Sequence, residues 1–278
     1  MIRKIGIIGL GLMGGSLSIA LKETSEKFHF VGLDHNKQHS SEALSLGLVD
    51  EVVQTLDEIS RCDIIFLTIP VDGIIAISQQ FKALDQNCTI IDFGSTKEKI
   101  SNAIPKEIRK NFVTAHPLTG TEKFGPTAAT TDLYSDKVIV LCDMEKSGDY
   151  QQEIAKKIFT EIKMKLVFMD AKEHDRHAAF ISHMPHALSY ALANAVMKQE
   201  AKESIVALAG GGFKDMSRIA KSSPNMWEDI FRQNKENVLE SIYIFQSEMK
   251  KCQKMVENEE WKNLNDWMKE ANTLHDIL

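Results

Sequence analysis

The stretch Ile7-Ile8-Gly9-Leu10-Gly11-Leu12-Met13-Gly14 decides the fold. An apolar run, Ile5 to Ile8, leads into it and suits a strand buried on both faces of a parallel sheet. The glycines stand in G-x-G-x-x-G spacing, and a helical pattern runs on from Gly15 to Lys22. Gly9 permits a tight turn, Gly11 lets backbone approach a pyrophosphate, and Gly14 lets the helix pack closely on the strand, with the phosphate at the helix N-terminus. The triplet alone is weak evidence, but a second strand, Phe28 to Asp34, follows and ends in an acid about twenty residues beyond Gly14. Asp34 can accept hydrogen bonds from both ribose hydroxyls and repels a 2′-phosphate, which favours NAD over NADP. Leu12 and Met13 complete the loop, and Ile69 and Pro70, at the end of a third apolar strand, border the same crevice.

Outward from this loop, strand and helix patterns alternate. Further strands are expected at Asp63–Ile69, Thr89–Asp92, Phe112–Ala115, Lys137–Leu141 and Leu166–Met169, with helices such as Gly73–Leu84 and Tyr150–Ile162 between them. After Asp170 no strand pattern recurs, and helical stretches cover His174–Lys198, Lys202–Ala209, Asp215–Ala220, Met226–Glu257 and Glu260–Leu274. The expected class is α/β: an N-terminal Rossmann-type doubly wound parallel sheet (residues 1–170) plus an all-helical C-terminal domain for substrate binding and dimerisation (residues 171–278). Phe231, Val238, Leu239, Ile242, Phe245 and Met249 recur at helical spacing as one apolar stripe. So small a helical unit has little core of its own, so the stripe predicts a homodimer through these helices; a self-contained bundle is the alternative.

Bulk properties exclude several classes. The chain has 278 residues, 43% hydrophobic and 26% charged, as ordinary soluble globular proteins do. A net charge of −6 offers no basic face to nucleic acid or to an anionic membrane. No apolar run reaches the roughly 18 residues of a spanning helix. The chain enters a strand at once, which argues against a leader peptide. Its four cysteines are scattered without C-x-x-C spacing, so reduced thiols and a cytoplasmic location are expected.

Ligands of open α/β sheets bind beyond the carboxyl ends of the strands. Two loops there carry chemistry: Phe93-Gly94-Ser95-Thr96-Lys97 and His116-Pro117-Leu118-Thr119-Gly120-Thr121-Glu122. A serine hydroxyl and an imidazole side by side form a proton-handling pair, and oxidation of a carbinol needs a base for the hydroxyl proton. In the helical part, Ser182-His183-Met184-Pro185-His186 sets two histidines three apart at a proline that kinks or restarts the helix. No further ligands at suitable spacing accompany them, so hydrogen bonding to substrate is preferred to a metal site. Gly210-Gly211-Gly212 could let backbone bend around a ligand, and Arg218, about two turns on, could grip a carboxylate in bidentate fashion.

Taken in order, these motifs resemble the prephenate dehydrogenase family. The shared features are GLGLMGGSL (Gly9 to Leu17), D-x-G-S-x-K (Asp92 to Lys97), H-P-x-x-G (His116 to Gly120), S-H-x-P-H (Ser182 to His186) and G-G-G-F-x-D-x-x-R (Gly210 to Arg218). The resemblance spans residues 3 to about 250. It implies NAD- or NADP-dependent oxidative decarboxylation of prephenate to 4-hydroxyphenylpyruvate, in the pathway to tyrosine, with no metal required. By the same resemblance His116 is the base on the ring hydroxyl and Ser95 orients it near the nicotinamide. His186 and Arg218 bind substrate, while Thr121, Glu122 and Asp215 are polar residues around the pocket. Thr119 and the bulky Phe93 depart from the frequent pattern and bear on fine substrate preference. The resemblance leaves arogenate as an alternative substrate. It also implies a stand-alone form without a fused mutase or regulatory domain. A β-hydroxyacid dehydrogenase shares the opening, but its catalytic lysine pattern is missing from the first long helix; a non-catalytic NAD sensor would have no use for His116, Ser95 and Arg218 together.

Overall fold

The computed structural model describes residues 2–82, 84–121 and 123–277. One eight-stranded sheet has the order β3-β2-β1-β4-β5-β6-β7-β8. Its strands are β1 (Arg3–Ile8), β2 (Phe28–Leu33), β3 (Glu51–Val52), β4 (Ile64–Leu67), β5 (Thr89–Asp92), β6 (Phe112–Pro117), β7 (Val138–Cys142) and β8 (Lys165–Met169). The short edge strand β3 has no period of its own long enough to read from sequence. β1 to β6 are parallel, whereas β7 runs antiparallel to β6 and carries β8 parallel to itself. The fully parallel sheet expected from the alternation is therefore corrected at the β6–β7 junction. A parallel neighbour needs a crossover, usually a helix. Among the described residues of 118–137, the 3-10 turn Pro126–Ala128 is the one helical element, and the chain re-enters the sheet at the end where it left.

Helices α1 (Leu12–Lys22), α2 (Lys37–Ser45), α3 (Leu56–Ile59), α4 (Val71–Ser78), α5 (Glu98–Ala103) and α6 (Asp149–Glu161) flank the sheet. The two-residue period of β4 feeds both faces: Ile64 and Phe66 join the core with Leu17 and Phe159, Ile65 and Leu67 the core with Ile74 and Phe112. Burial on both faces is why these strands read as continuous apolar runs.

After β8 the described residues run through α7 (Ala171–Ala178), a π-helical turn (Ala179–His183), α8 (Met184–Met197), α9 (Lys202–Ala207), α10 (Gly211–Arg218), α11 (Pro224–Gln233), α12 (Lys235–Glu257) and α13 (Trp261–Asn272), with short 3-10 turns at Ile219–Lys221 and Thr273–Asp276. The π turn interrupts the continuous helix expected over His174–Lys198. It sits just before Pro185, which lacks the N–H that an α-helix would use and would crowd the carbonyl four residues back. The expected helix Met226–Glu257 is broken at Asn234, which leaves helical geometry at φ −109°, ψ 33°.

The helical part is tied to the sheet by polar contacts. Asp170 caps α7 through the Glu173 N–H at 2.7 Å, and Asp143 accepts from the Ala171 N–H at 3.0 Å. Arg232 donates to Asp72 of α4 at 2.6 Å, and Lys99 Nζ donates to the Arg232 carbonyl at 3.0 Å.

Candidate active site

The switch point lies between β1, with β2 on one side, and β4 on the other. There Gly9 adopts φ +100°, and a Cβ on it would come within 2.6 Å of the Thr68 carbonyl oxygen and 2.7 Å of Ile69. A Cβ on Gly14 would strike Thr68 Oγ1 at 2.7 Å. Both are steric requirements for glycine. Gly11 differs: a Cβ there would meet nothing nearer than the Gly125 nitrogen at 4.0 Å. Its role is to leave space, and it caps α1 without any side-chain hydrogen bond. The first amides of α1, including those of Met13 and Gly14, thus stay open to an anion, and the crevice fits a dinucleotide pyrophosphate. Ile69 and Pro70 form the opposite wall, Pro70 capping α4. Asp34 is fixed by the Leu10 and Asn36 amides, both at 2.8 Å.

His116 lies inside β6, opposite Val140, and not in the loop after it as the sequence suggested. The strand extends because β7 continues the ladder to Pro117. Its Nδ1 is 2.8 Å from Nε2 of His174, whose Nδ1 is 2.8 Å from Asp175 Oδ1. The same Asp175 oxygen accepts the Lys97 N–H at 2.7 Å, and the other accepts the Glu98 N–H at 3.0 Å. Burial first, then the neighbouring His174, Lys97 and His183, holds the His116 imidazole well below its ordinary value. Lys97 is itself fully buried; its ammonium pairs with Asp92 and donates to the Ala115 carbonyl at 2.7 Å. Ser95 is half-buried in the β5–α5 loop, and no hydrogen bond joins it to His116 among the described residues. The hydrogen-bond partner of the His116 Nδ1 is His174, brought there by α7, a neighbour that the sequence reading did not include.

The π turn places the next imidazoles. His183 is buried and accepts from Asn234 Nδ2 at 3.1 Å; burial pushes it down to about 4 despite the nearby Asp175. His186 donates from Nδ1 to the Ser182 carbonyl at 2.9 Å and stacks on Trp227, with ring centroids 3.5 Å apart. Burial lowers its basicity, the Ser182 carbonyl partly offsets this, and the positive Arg218 lowers it again; α10, which carries Arg218, packs on α8, which carries His186.

Residues 17–168 match a family described as the prephenate dehydrogenase nucleotide-binding domain, and residues 170–270 one described as the prephenate dehydrogenase dimerization domain. The chain belongs to the prephenate dehydrogenase family. A prephenate dehydrogenase of Bacillus subtilis is 30% identical over 278 residues, 98% of this chain and 75% of the relative. A cyclohexadienyl dehydrogenase of Zymomonas mobilis is 29% identical over 288 residues, 99% of this chain and 98% of the relative. The crystal structure of prephenate dehydrogenase from A. aeolicus with hydroxyphenyl propionate and NAD+ superposes with a TM-score of 0.92 at 30% identity, covering 99% of this chain and 98% of that one. Synechocystis arogenate dehydrogenase superposes with a TM-score of 0.81 at 25% identity, covering 98% and 99%.

Other residues read from the family motifs stand further out. Gly211 and Gly212 do not form a loop between helices; they open α10, with Gly210 as its cap. Asp215 and Arg218 are both exposed on that helix. Thr121 is exposed and accepts the Lys123 N–H at 3.2 Å, while Glu122 lies outside the described residues. Sequence reasoning missed His174, Asp175, Trp227 and Asn234. Adjacent His174-Asp175 on a helix carries no period, and only the packing of α7 on α5 shows what they face.

Proposed function

We propose that this chain oxidises and decarboxylates prephenate to 4-hydroxyphenylpyruvate with NAD. The observation that carries the reading is His116, fixed on β6 and bonded to His174 of the helical part, in which α8 with His186 and α10 with Arg218 pack on each other. Residues 1–170 hold the cofactor through Gly9, Gly11, Leu12, Met13, Gly14, Asp34, Ile69 and Pro70. Residues 171–278 close the substrate pocket and provide the dimer contact. Bound NAD supplies the acceptor for the hydride of the ring carbon that bears the hydroxyl. His116 takes the hydroxyl proton as the carbonyl develops, and Ser95 is the hydroxyl that orients that base near the nicotinamide. Arg218 holds a substrate carboxylate, His186, whose Nδ1 hydrogen goes to the Ser182 carbonyl, offers Nε2 as an acceptor, and Thr121 and Asp215 line the polar rim. Loss of carbon dioxide aromatises the ring and makes the reaction irreversible. The higher likeness to prephenate than to arogenate dehydrogenase supports the keto acid as substrate. The buried free thiols of Cys62, Cys88 and Cys142 suit the reducing cytoplasm.

The test follows reduced-nicotinamide absorbance with NAD and either prephenate or arogenate. Prephenate is expected to turn over with the higher kcat/KM; faster arogenate oxidation would reassign the substrate. His116→Asn is expected to lower kcat about 10² to 10⁴-fold while NAD binding holds. Because the imidazole lies below its ordinary value, the wild-type acid limb should fall below the usual histidine range, not within it.

A further inference from the structure

His116 must take up a proton where a positive charge is poorly tolerated. Burial opposes it, and Lys97 adds a cation nearby. The groups around it show where the charge can go. An ionised carboxylate only accepts, so Asp175 Oδ1, at 2.8 Å, fixes the hydrogen of His174 on Nδ1. Neutral His174 then presents a bare Nε2. His116 Nδ1, 2.8 Å away, must donate to it. The remaining nitrogen of His116, Nε2, is thereby left as the acceptor.

We propose that His174 and Asp175 are positioning residues that set the His116 tautomer and draw off its positive charge during the reaction, a role that rests on His116 being the base. When the substrate hydroxyl proton bonds to His116 Nε2, the Nδ1–H bond of His116 breaks as an Nε2–H bond forms on His174. His116 ends neutral, with its hydrogen on Nε2. His174 ends as an imidazolium in contact with the Asp175 carboxylate, so no proton is lost and the charge has moved from an unpaired to a paired position. Among the described residues, no other free carboxylate faces this chain of rings. Asp92, from β5, is already paired with Lys97. His183, from the π turn, is buried, and Asn234 is neutral. Asp175 also caps the N-terminus of α5 by accepting the Lys97 and Glu98 amides, which holds its carboxylate in place while the charge arrives. Both residues belong to the helical part and act on a histidine of the sheet. The relay therefore completes the base only when the two parts are docked.

The experiment uses the whole enzyme with two substitutions. In His174→Gln a side-chain oxygen can still accept the His116 Nδ1 hydrogen but cannot take a proton. In His174→Leu neither is possible. His174→Gln is expected to lower the kcat plateau on the order of tenfold to a hundredfold. Its acid limb should move, because the charge that His116 takes up can no longer pass to a ring paired with Asp175. His174→Leu should fall further, with NAD affinity and melting temperature near wild type in both. Imidazole ¹⁵N spectra of the wild-type protein should show the Nδ1–H tautomer for both His116 and His174. An unmoved acid limb in His174→Gln, equal loss in the two variants, or a His116 spectrum of the Nε2–H tautomer would overturn the proposal. If His116→Asn kept full kcat, the base assignment itself would fall; slow His116→Asn beside an unaffected His174→Gln would remove the relay alone.

Discussion

In residues 1–170, Ile5, Ile7, Phe66 and Phe112 are fully buried, whereas in the helical remainder Ile181, Leu208, Met216 and Tyr243 expose 64–88% of their surface. Among the described residues, the core clusters reach beyond Met169 only at Ala171. Trp227, Ile230, Val238 and Leu264 are the larger apolar side chains that the helices do bury. The sheet thus satisfies itself, and the helices are completed by what they dock against. His116, seated at the seam and bonded to His174 of α7, depends on both kinds of order. Removing a group from the first region should cost folding stability; removing one from the second should cost association or substrate affinity.

The sharpest contrast is expected from Lys97→Met. It leaves the Asp92 carboxylate buried without its partner, although the Gly94 and Ala115 amides still reach it at 2.9 and 3.2 Å. Breaking a buried pair from one side costs about 3–5 kcal/mol, so the melting temperature should fall by many degrees. Adding Asp92→Asn should recover part of the loss. A variant as stable as wild type would contradict the view of the first region as tightly determined.

Next in size is the helical surface. Tyr243 and Ile244 lie exposed on α12, at 64% and 47%. Tyr243→Asp with Ile244→Asp is expected to weaken the homodimer at least a hundredfold, as loss of central apolar contacts does at about 2 kcal/mol each. Sedimentation at micromolar concentration should show dimer for the wild type and monomer for the variant. A monomeric wild type would mean that these apolar faces meet something other than a second copy.

Legibility in the sequence followed the same division. The Gly9–Gly14 loop, Asp34 and the strands β1, β2, β4 and β5 could be read because each rests on local chemistry: glycine geometry, or a buried run a few residues long. His116 was found by its motif but placed one element too late, since strand length is set by the partner strand β7. The reversal of β7 has no local signal. His174, Asp175 and Asn234 were invisible because their meaning is entirely tertiary: one helix face, a neighbouring N-terminus and a helix break that only docking explains. The apolar stripe of α12 was visible, whereas the break at Asn234 that aims a side chain at His183 was not.

Arg218→Ala should affect neither folding nor the cofactor. On the role proposed for it, the change removes a charge-assisted substrate contact of about 1.5–3 kcal/mol, or about ten- to a hundredfold in KM for prephenate. Arg218→Lys should recover a fraction, lacking the planar fork. An equal rise in KM for NAD would blur the division between the two regions, because Arg218 stands on α10 and the glycine loop on the sheet.

The smallest effect tests the cofactor side of the comparison. Asp34 exposes only 5% of its side chain, and its two oxygens accept the Leu10 and Asn36 amides at 2.8 Å each. Each oxygen keeps another lone pair, so the carboxylate can still receive ribose hydroxyls while its charge opposes a 2′-phosphate. Asp34→Ser keeps one short acceptor and removes the charge. The wild type should prefer NAD strongly in kcat/KM, and the variant should narrow that ratio about tenfold, equivalent to about 1.4 kcal/mol. The gain should be modest because His35 and His39 already stand 3.4 and 3.7 Å from the carboxylate. KM for prephenate should not move, since Asp34 lies at the end of β2, on the far side of the switch point from His116. Equal use of NAD and NADP by the wild type would show that the acid at this position does not select the cofactor. A shift in prephenate KM would show that the two ends of the crevice are coupled through the sheet.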